Sequence, residues 1–236
     1  MITNSSFPYD RLRLIPRSFW NSVYLFPSFQ YIFMVPNSLL GANGLARAFL
    51  HGPKQVERNA DAREADVPYF NQEWFRIQVR EVTDLIVLIC GHGGRDQRCG
   101  VMGPLLGSEF LRLLANRGVD TSGDAGKPLL SLIRRQTNPA NIEDGTADIE
   151  DSTVRARVAM ISHIGGHAFA GNVIIYVPPS FRIEGKRSPL AGKGIWYGRV
   201  EPRHVEGIIE ETIFKGNVIA DLFRGGIEQD GNIMRL

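Results

Sequence analysis

The run DLIVLIC, residues 84–90, constrains this chain more than any other stretch. It is continuous, apolar and β-branched, and it shows no alternation of polar and apolar positions after Asp84. Such a run predicts a strand buried on both faces, because a strand with one wet face alternates with a period of two. A glycine-rich loop, GHGGRDQRCG, follows it directly.

The elements downstream are read from the same kind of signal. Pro104 sits where a first helical turn begins, and Leu105, Leu106, Phe110, Leu113 and Leu114 recur at helical spacing until Gly118. Residues 119–152 are polar and acidic, a long loop around a short LLSLIRR segment. VRARVAMIS (154–162), VIIYV (173–177) and GIWYGRV (194–200) read as strands. Pro202 opens a helix that carries Val205, Ile208, Ile209 and Phe214 on one face and stops at Gly216. VIADLFRGG reads as a last short helix. From residue 84 the order is strand, helix, three strands, helix, which suits an α/β sandwich of thioredoxin type.

Upstream, residues 1 to about 50 are aromatic-rich and broken by Pro8, Pro16, Pro27 and Pro36, so they read as short extended pieces and turns. LLGANGLARAFLHG (39–52) reads as a short helix, and residues 53–70 as a charged linker or solvated helix. Arg11, Arg13 and Arg17 stand against one acid, Asp10, a balance found in mitochondrial presequences, but the prolines interrupt any amphipathic helix there. No stretch reaches the roughly 18 consecutive apolar residues of a membrane span.

Both cysteines of the 236-residue chain, Cys90 and Cys99, lie in or beside the first glycine-rich loop. With hydrophobic content at 43% the chain can bury a core without disulfide staples. Two cysteines are also too few for a secreted disulfide scaffold, which points the thiols toward redox, catalytic or metal chemistry. A net charge of +2 with scattered arginines does not suggest nucleic acid. A second glycine-rich loop, HIGGHAFAGN, carries His163 and His167. Two loops that each follow a strand can aim ligands from a rigid sheet into one place.

Each of these residues also has a plainer reading. Cys90 alone is a small buried hydrophobe at a strand end. His163 alone is a hydrogen-bonded loop residue. Together, however, the two loops gather both cysteines and three of the five histidines, including His92. Cys90 and Cys99 are too far apart for a compact zinc finger, though a zinc site assembled across a larger fold stays open. So does a [2Fe–2S] centre, in which histidines can replace cysteines on one iron. So does a thiol–disulfide pair, although Cys90 and Cys99 do not form Cys-x-x-Cys. Arg95 reads either as an ion-pair partner of Asp96 or as a donor to cluster sulfides. His51 and His204 read as surface residues. No nucleophile–base arrangement and no acidic pair suggests hydrolysis.

LICGHGGRDQRCGVMGPLL and SHIGGHAFAGNVIIYVP resemble the fungal sucrase/ferredoxin-like family. GIWYGRVEPRHVEGIIEETIFKGNVIADLF is similar to the close of thioredoxin-like [2Fe–2S] ferredoxins. YLFPSFQYIFMVPNSL also resembles the family, so the likeness spans most of the chain. The resemblance implies a thioredoxin-like ferredoxin domain over residues 81–236, preceded by an N-terminal extension or partial lobe over residues 1–80. It implies one [2Fe–2S] cluster held by Cys90, Cys99, His163 and His167, with both histidines on the same iron. It further implies electron transfer to redox partner proteins rather than conversion of a substrate, and a mitochondrial location, with the cytoplasm as second choice. Family members carry a longer N-terminal region than the one ITNSSFP opens here, so this chain is expected to begin inside that region.

Overall fold

The computed structural model describes residues 5, 7, 20–50, 79–122 and 154–235. The chain has helices and mixed sheets, an α/β protein, and divides into two compact units. One comprises residues 9–82; the other comprises residues 1–8 and 83–236.

In the first unit, β1 (Trp20–Leu25) and β2 (Gln30–Pro36) form an antiparallel hairpin, and β3 (Val79–Glu81) pairs with the far edge of β2. Helix α1 (Leu39–Leu45) follows and continues as a wider π turn over Ala46–Leu50. Ser38 caps α1 by accepting a hydrogen bond from the Gly41 N–H at 3.1 Å. The residues read as short extended pieces thus form a sheet, stitched by rings such as Phe29 and Phe26, which meet edge to face at 5.4 Å.

The second unit holds the chemistry. In a six-stranded sheet ordered β11 (Ile233–Met234), β10 (Phe223–Glu228), β9 (Lys193–Tyr197), β6 (Val173–Val177), β4 (Leu85–Cys90), β5 (Ala156–Ile161), β4 is flanked on both sides, and all six of its residues are buried, as the DLIVLIC run requires. Helix α2 (Gln97–Asn116) leads to β5 (Ala156–Ile161), which pairs with β4 in parallel. β6 (Val173–Val177) lies antiparallel on the other side of β4. A small hairpin, β7 (Arg182–Ile183) and β8 (Lys186–Arg187), precedes β9 (Lys193–Tyr197). Helix α3 (Pro202–Ile208) runs on as a π turn over Ile209–Phe214.

One core joins these layers. Leu85, Val87 and Ile89, on one face of β4, pack with Val173, Ile175, Ile195 and Tyr197 of the sheet, and Leu106, Phe110 and Leu114 of α2 and Val205, Ile208 and Ile213 of α3 join them. The buried Tyr197 hydroxyl bonds Thr212 Oγ1 at 2.7 Å and accepts from the Ile219 N–H at 3.1 Å, which ties β9 to the C-terminal segment. At the start of the parallel pair, Asp84 binds Arg155 at 3.1 Å and Arg157 at 2.6 Å.

Three readings are corrected. The helix after β4 begins at Gln97, not at Pro104, because Asp96 accepts from the Arg98 N–H at 2.9 Å and caps it. Pro104 lies inside α2 at an exposed position, so the Gly100 carbonyl that lacks its usual donor lies near the helix start. VIADLFRGG is not a helix: a single 3-10 turn (Ala220–Leu222) gives way to β10 (Phe223–Glu228), which adds to the sheet edge and pairs with β11 (Ile233–Met234). Sheet pairing with β9 overrides the helical pattern there. The strand read over 194–200 ends at Tyr197, and Arg199 turns the chain with φ +59°. The linker over residues 53–70, His51, and most of the loop read over 119–152 lie outside the described residues.

Candidate metal centre

Cys90 is the last residue of β4, and Cys99 lies in the first turn of α2. Both are free thiols and fully buried. Placing Cys99 on the helix brings its sulfur back toward the strand end, because the chain between them folds tightly. The His92 carbonyl accepts from the N–H groups of both Arg95 and Asp96, at 3.1 and 3.2 Å. The helix then packs backbone on backbone against this loop. A Cβ on Gly100 would lie 2.6 Å from the Gly93 Cα, and one on Gly103 would lie 2.8 Å from the Gly91 Cα and 2.9 Å from the Cys90 carbonyl oxygen. Glycine is therefore a steric requirement at both helix positions.

His163 follows β5, the parallel neighbour of β4, so the pairing delivers the second loop beside the first. The Gly91 N–H bonds the Ile161 carbonyl at 3.1 Å, which joins the two strand ends. His163 Nδ1 stands 3.8 Å from Cys90 Sγ. The ligand atoms of Cys90, Cys99 and His163 all lie within 4.8 Å of one another, a group that can hold a metal ion. His163 is half-buried where both cysteines are sealed, so the group opens to solvent on its imidazole side.

His167 begins a 3-10 turn (His167–Phe169), and its side chain lies outside the described residues. His92 is exposed and is not among the three grouped ligands. The Arg95–Asp96 ion pair is replaced by Asp96 with Arg98, at 2.8 Å, because Asp96 faces the helix it caps. His204 is half-buried rather than a plain surface residue: its Nδ1 accepts from the Glu201 N–H at 3.1 Å, at the start of α3.

One residue escaped the sequence reading altogether. Asn172, 2% exposed, joins both loops. Its carbonyl accepts from the Cys90 N–H at 3.0 Å, its Nδ2 donates to the Ile164 carbonyl at 3.1 Å, and its Oδ1 accepts from Trp196 Nε1 at 3.4 Å. Gly165, at φ +72°, lies close enough that a Cβ there would come 3.0 Å from Asn172 Oδ1. Nothing in the letters of GNVIIYV separates this asparagine from an ordinary turn residue.

Burial pushes the Cys99 thiol up to about 11, and the adjoining Cys90 thiol and Asp96 push the same way, while Arg98 opposes them weakly. The site therefore holds Cys99 protonated at neutral pH until a cation is present. A bound metal reverses that balance, because thiolate is the ligand form. The donor set of two sulfurs and one imidazole suits soft or borderline metals.

No solved structure matches the chain. It is 32% identical over 204 residues to altered inheritance of mitochondria protein 32 of Meyerozyma guilliermondii, covering 86% of this chain and 56% of that protein. Its namesakes from Debaryomyces hansenii (36% identical) and Clavispora lusitaniae (37% identical) match 60% and 59% of this chain, and 36% and 34% of their own lengths. The chain thus spans from about a third to just over half of these relatives. A family model for sucrase/ferredoxin-like proteins matches residues 1–225, and the chain belongs to that family.

Proposed function

We propose that this chain is a [2Fe–2S] redox protein that exchanges electrons with partner proteins, with Cys90, Cys99, His163 and His167 as ligands. The observation that carries the reading is the convergence of Cys90, Cys99 and His163 within 4.8 Å, in a chain of a ferredoxin-like family. When bound, such a cluster supplies one-electron chemistry, at a potential raised where neutral imidazole replaces thiolate. The residues divide the work. Cys90 and Cys99 provide the sealed, anionic side. His163 provides the solvent side, with its Nδ1 facing Cys90 Sγ. The domain is the segment 81–236 with a thioredoxin-like ferredoxin fold, and residues 1–80 are an N-terminal extension or partial lobe. The relatives' name supports a mitochondrial location.

A second reading rests on the same distances. Ligands on one tetrahedral zinc stand about 3.5–3.8 Å apart, and the 3.8 Å between Cys90 Sγ and His163 Nδ1 meets that directly. A two-iron core is wider and needs the imidazole to stand farther out. A thiol–disulfide role is less well supported, because a thiol held near 11 is a poor nucleophile at neutral pH.

Anaerobic purification followed by iron, sulfide and zinc analysis, with electron paramagnetic resonance of the reduced form, separates these readings. The expected result is a red-brown protein with two irons and two sulfides per chain and a signal on reduction. A colourless protein with one zinc per chain sinks the redox reading.

A further inference from the structure

Beside the histidine loop lies a built surface feature. The ring of Phe169, in the turn that His167 begins, lies against the loop itself: a Cβ on Gly166 would come 3.6 Å from the ring edge. Two guanidinium groups rest on that ring, Arg199 at 5.0 Å and Arg224 at 3.5 Å from its centroid. Both arginines are aimed by backbone irregularities. Arg199 has φ +59°, a conformation that costs a non-glycine residue about 1 kcal/mol or more. Arg224 stands at a register shift between Phe223 and Gly225, where β10 bulges against β9. Gly198 makes room for it, since a Cβ there would meet the Arg224 side chain at 3.0 Å. Both arginines are exposed.

Among the described residues, neither guanidinium has a carboxylate within ion-pair distance. Glu201, the nearest acid along the chain to Arg199, is taken by Arg203 at 2.8 Å, and Asp221 is the acid of the turn before β10. Arg95 adds another exposed cation on the cysteine loop. An aromatic ring flanked by arginines is the composition that dominates binding energy at protein interfaces. The location matters as much as the composition, because the His163 side is where the candidate site reaches solvent.

We propose that Arg199 and Arg224, fixed on Phe169 beside the His163 loop, are the docking surface for an acidic protein partner. The partner presents carboxylates to the two guanidiniums and comes to rest next to the imidazole side of the site. Two or three cations are too few for stable nucleic-acid binding, which needs more phosphate contacts. As the surface through which electrons pass, this inference rests on the redox reading above; as an acidic docking surface it stands without a metal.

The test has an arm for each case. With metal-free, isotope-labelled protein, titration of a decaglutamate peptide at low salt should shift the resonances of Phe169, Arg199 and Arg224. The shifts should vanish in 0.5 M salt and in the double variant Arg199→Gln/Arg224→Gln, and return in Arg199→Lys/Arg224→Lys. Decalysine should shift none of them. Absent shifts, or the same shifts from inorganic phosphate at equal charge concentration, overturn the proposal. With the protein as purified and reduced, oxidation by hexacyanoferrate(III) should slow three- to tenfold in the Gln double variant and with added salt, while oxidation by hexaamminecobalt(III) should not slow. Equal hexacyanoferrate rates in wild type and variant, at unchanged optical spectrum and potential, also overturn it. A protein that contains no iron but passes the first arm ends the redox reading and keeps the docking surface.

Discussion

Gly93 and Gly100 meet backbone to backbone: a Cβ on Gly100 would stand 2.6 Å from the Gly93 Cα. This contact fixes how closely the first turn of α2 approaches the end of β4, and so the separation of the two sulfurs. A methyl group cannot fit without moving one backbone away from the other. The alternative, a shift of a flexible side chain, does not exist at this position because the obstructing atom is main chain.

Gly100→Ala is therefore expected to destabilise the metal-free protein by about 1–3 kcal/mol, the usual range for overpacking, and to cut metal content more sharply than stability. Thermal melting of the metal-free form and metal analysis of the purified form measure the two separately. Ala at the open position Gly207 of α3, where a Cβ meets nothing within 4 Å, is the control and should be neutral or stabilising.

Asn172→Ala leaves the Cys90 N–H bonded to the same main-chain carbonyl but removes both side-chain bonds. The Ile164 carbonyl and the Trp196 N–H then lose a partner, at a cost of about 1–3 kcal/mol for buried polar groups. The loop bearing His163 loses its tie to β6, so metal affinity should fall as well. Trp196→Phe leaves Asn172 bonded to the Ile164 carbonyl, so the tie to the His163 loop stays and metal affinity should fall less than in Asn172→Ala. Equal losses of affinity from the two variants, by cobalt titration of the metal-free protein, contradict the role given to Asn172.

The parts legible in the sequence share a cause. DLIVLIC could be read because burial on both faces leaves a continuous apolar run, and VIIYV for the same reason. The two cysteines and His163 could be singled out because rare residue types clustered in glycine-rich loops. What the sequence hid depends on partners distant along the chain. Asp96 is a helix cap of ordinary type, but Pro104 gives a competing start signal, and the glycine packing against residues 91 and 93 is what lets the helix begin earlier. β10 carries a helix-like pattern of apolar residues, and only its pairing with β9 makes it a strand. Asn172 and the Arg199–Phe169–Arg224 stack are products of tertiary packing with no local signature.

Replacing a ligand tests the redox reading directly. Cys99→Ala removes a sealed sulfur and should abolish the visible spectrum of the loaded protein. His163→Cys substitutes an anionic thiolate for neutral imidazole. It should retain the coloured centre and lower its potential. Optical spectra and protein-film voltammetry read the colour and the potential, and an unchanged spectrum in Cys99→Ala contradicts the ligand assignment.

The metal-free protein should also report the state of Cys99. Its thiol is raised to about 11 in the folded chain from an ordinary value of 9.0, chiefly because burial disfavours the thiolate. A raised value means that the folded state holds the proton more tightly than the unfolded state. The resulting stability is fully present below pH 9 and is lost as pH rises from about 9 to 11. A shift of this size corresponds to about 1–3 kcal/mol, an order-of-magnitude figure because the two thiols interact. The slope should be shallower in Cys99→Ala, which lacks this thiol, while the Tyr176 and Tyr197 hydroxyls, also raised by burial, contribute equally to both proteins. The Cys99 part of the slope should also be lost with metal bound, since the ligand is then already thiolate and the linkage runs in the opposite direction, with metal binding weakening as pH falls. Denaturant unfolding of the metal-free wild type and of Cys99→Ala between pH 8 and 11 measures the difference. Parallel curves for the two proteins would falsify the burial of a neutral Cys99 thiol.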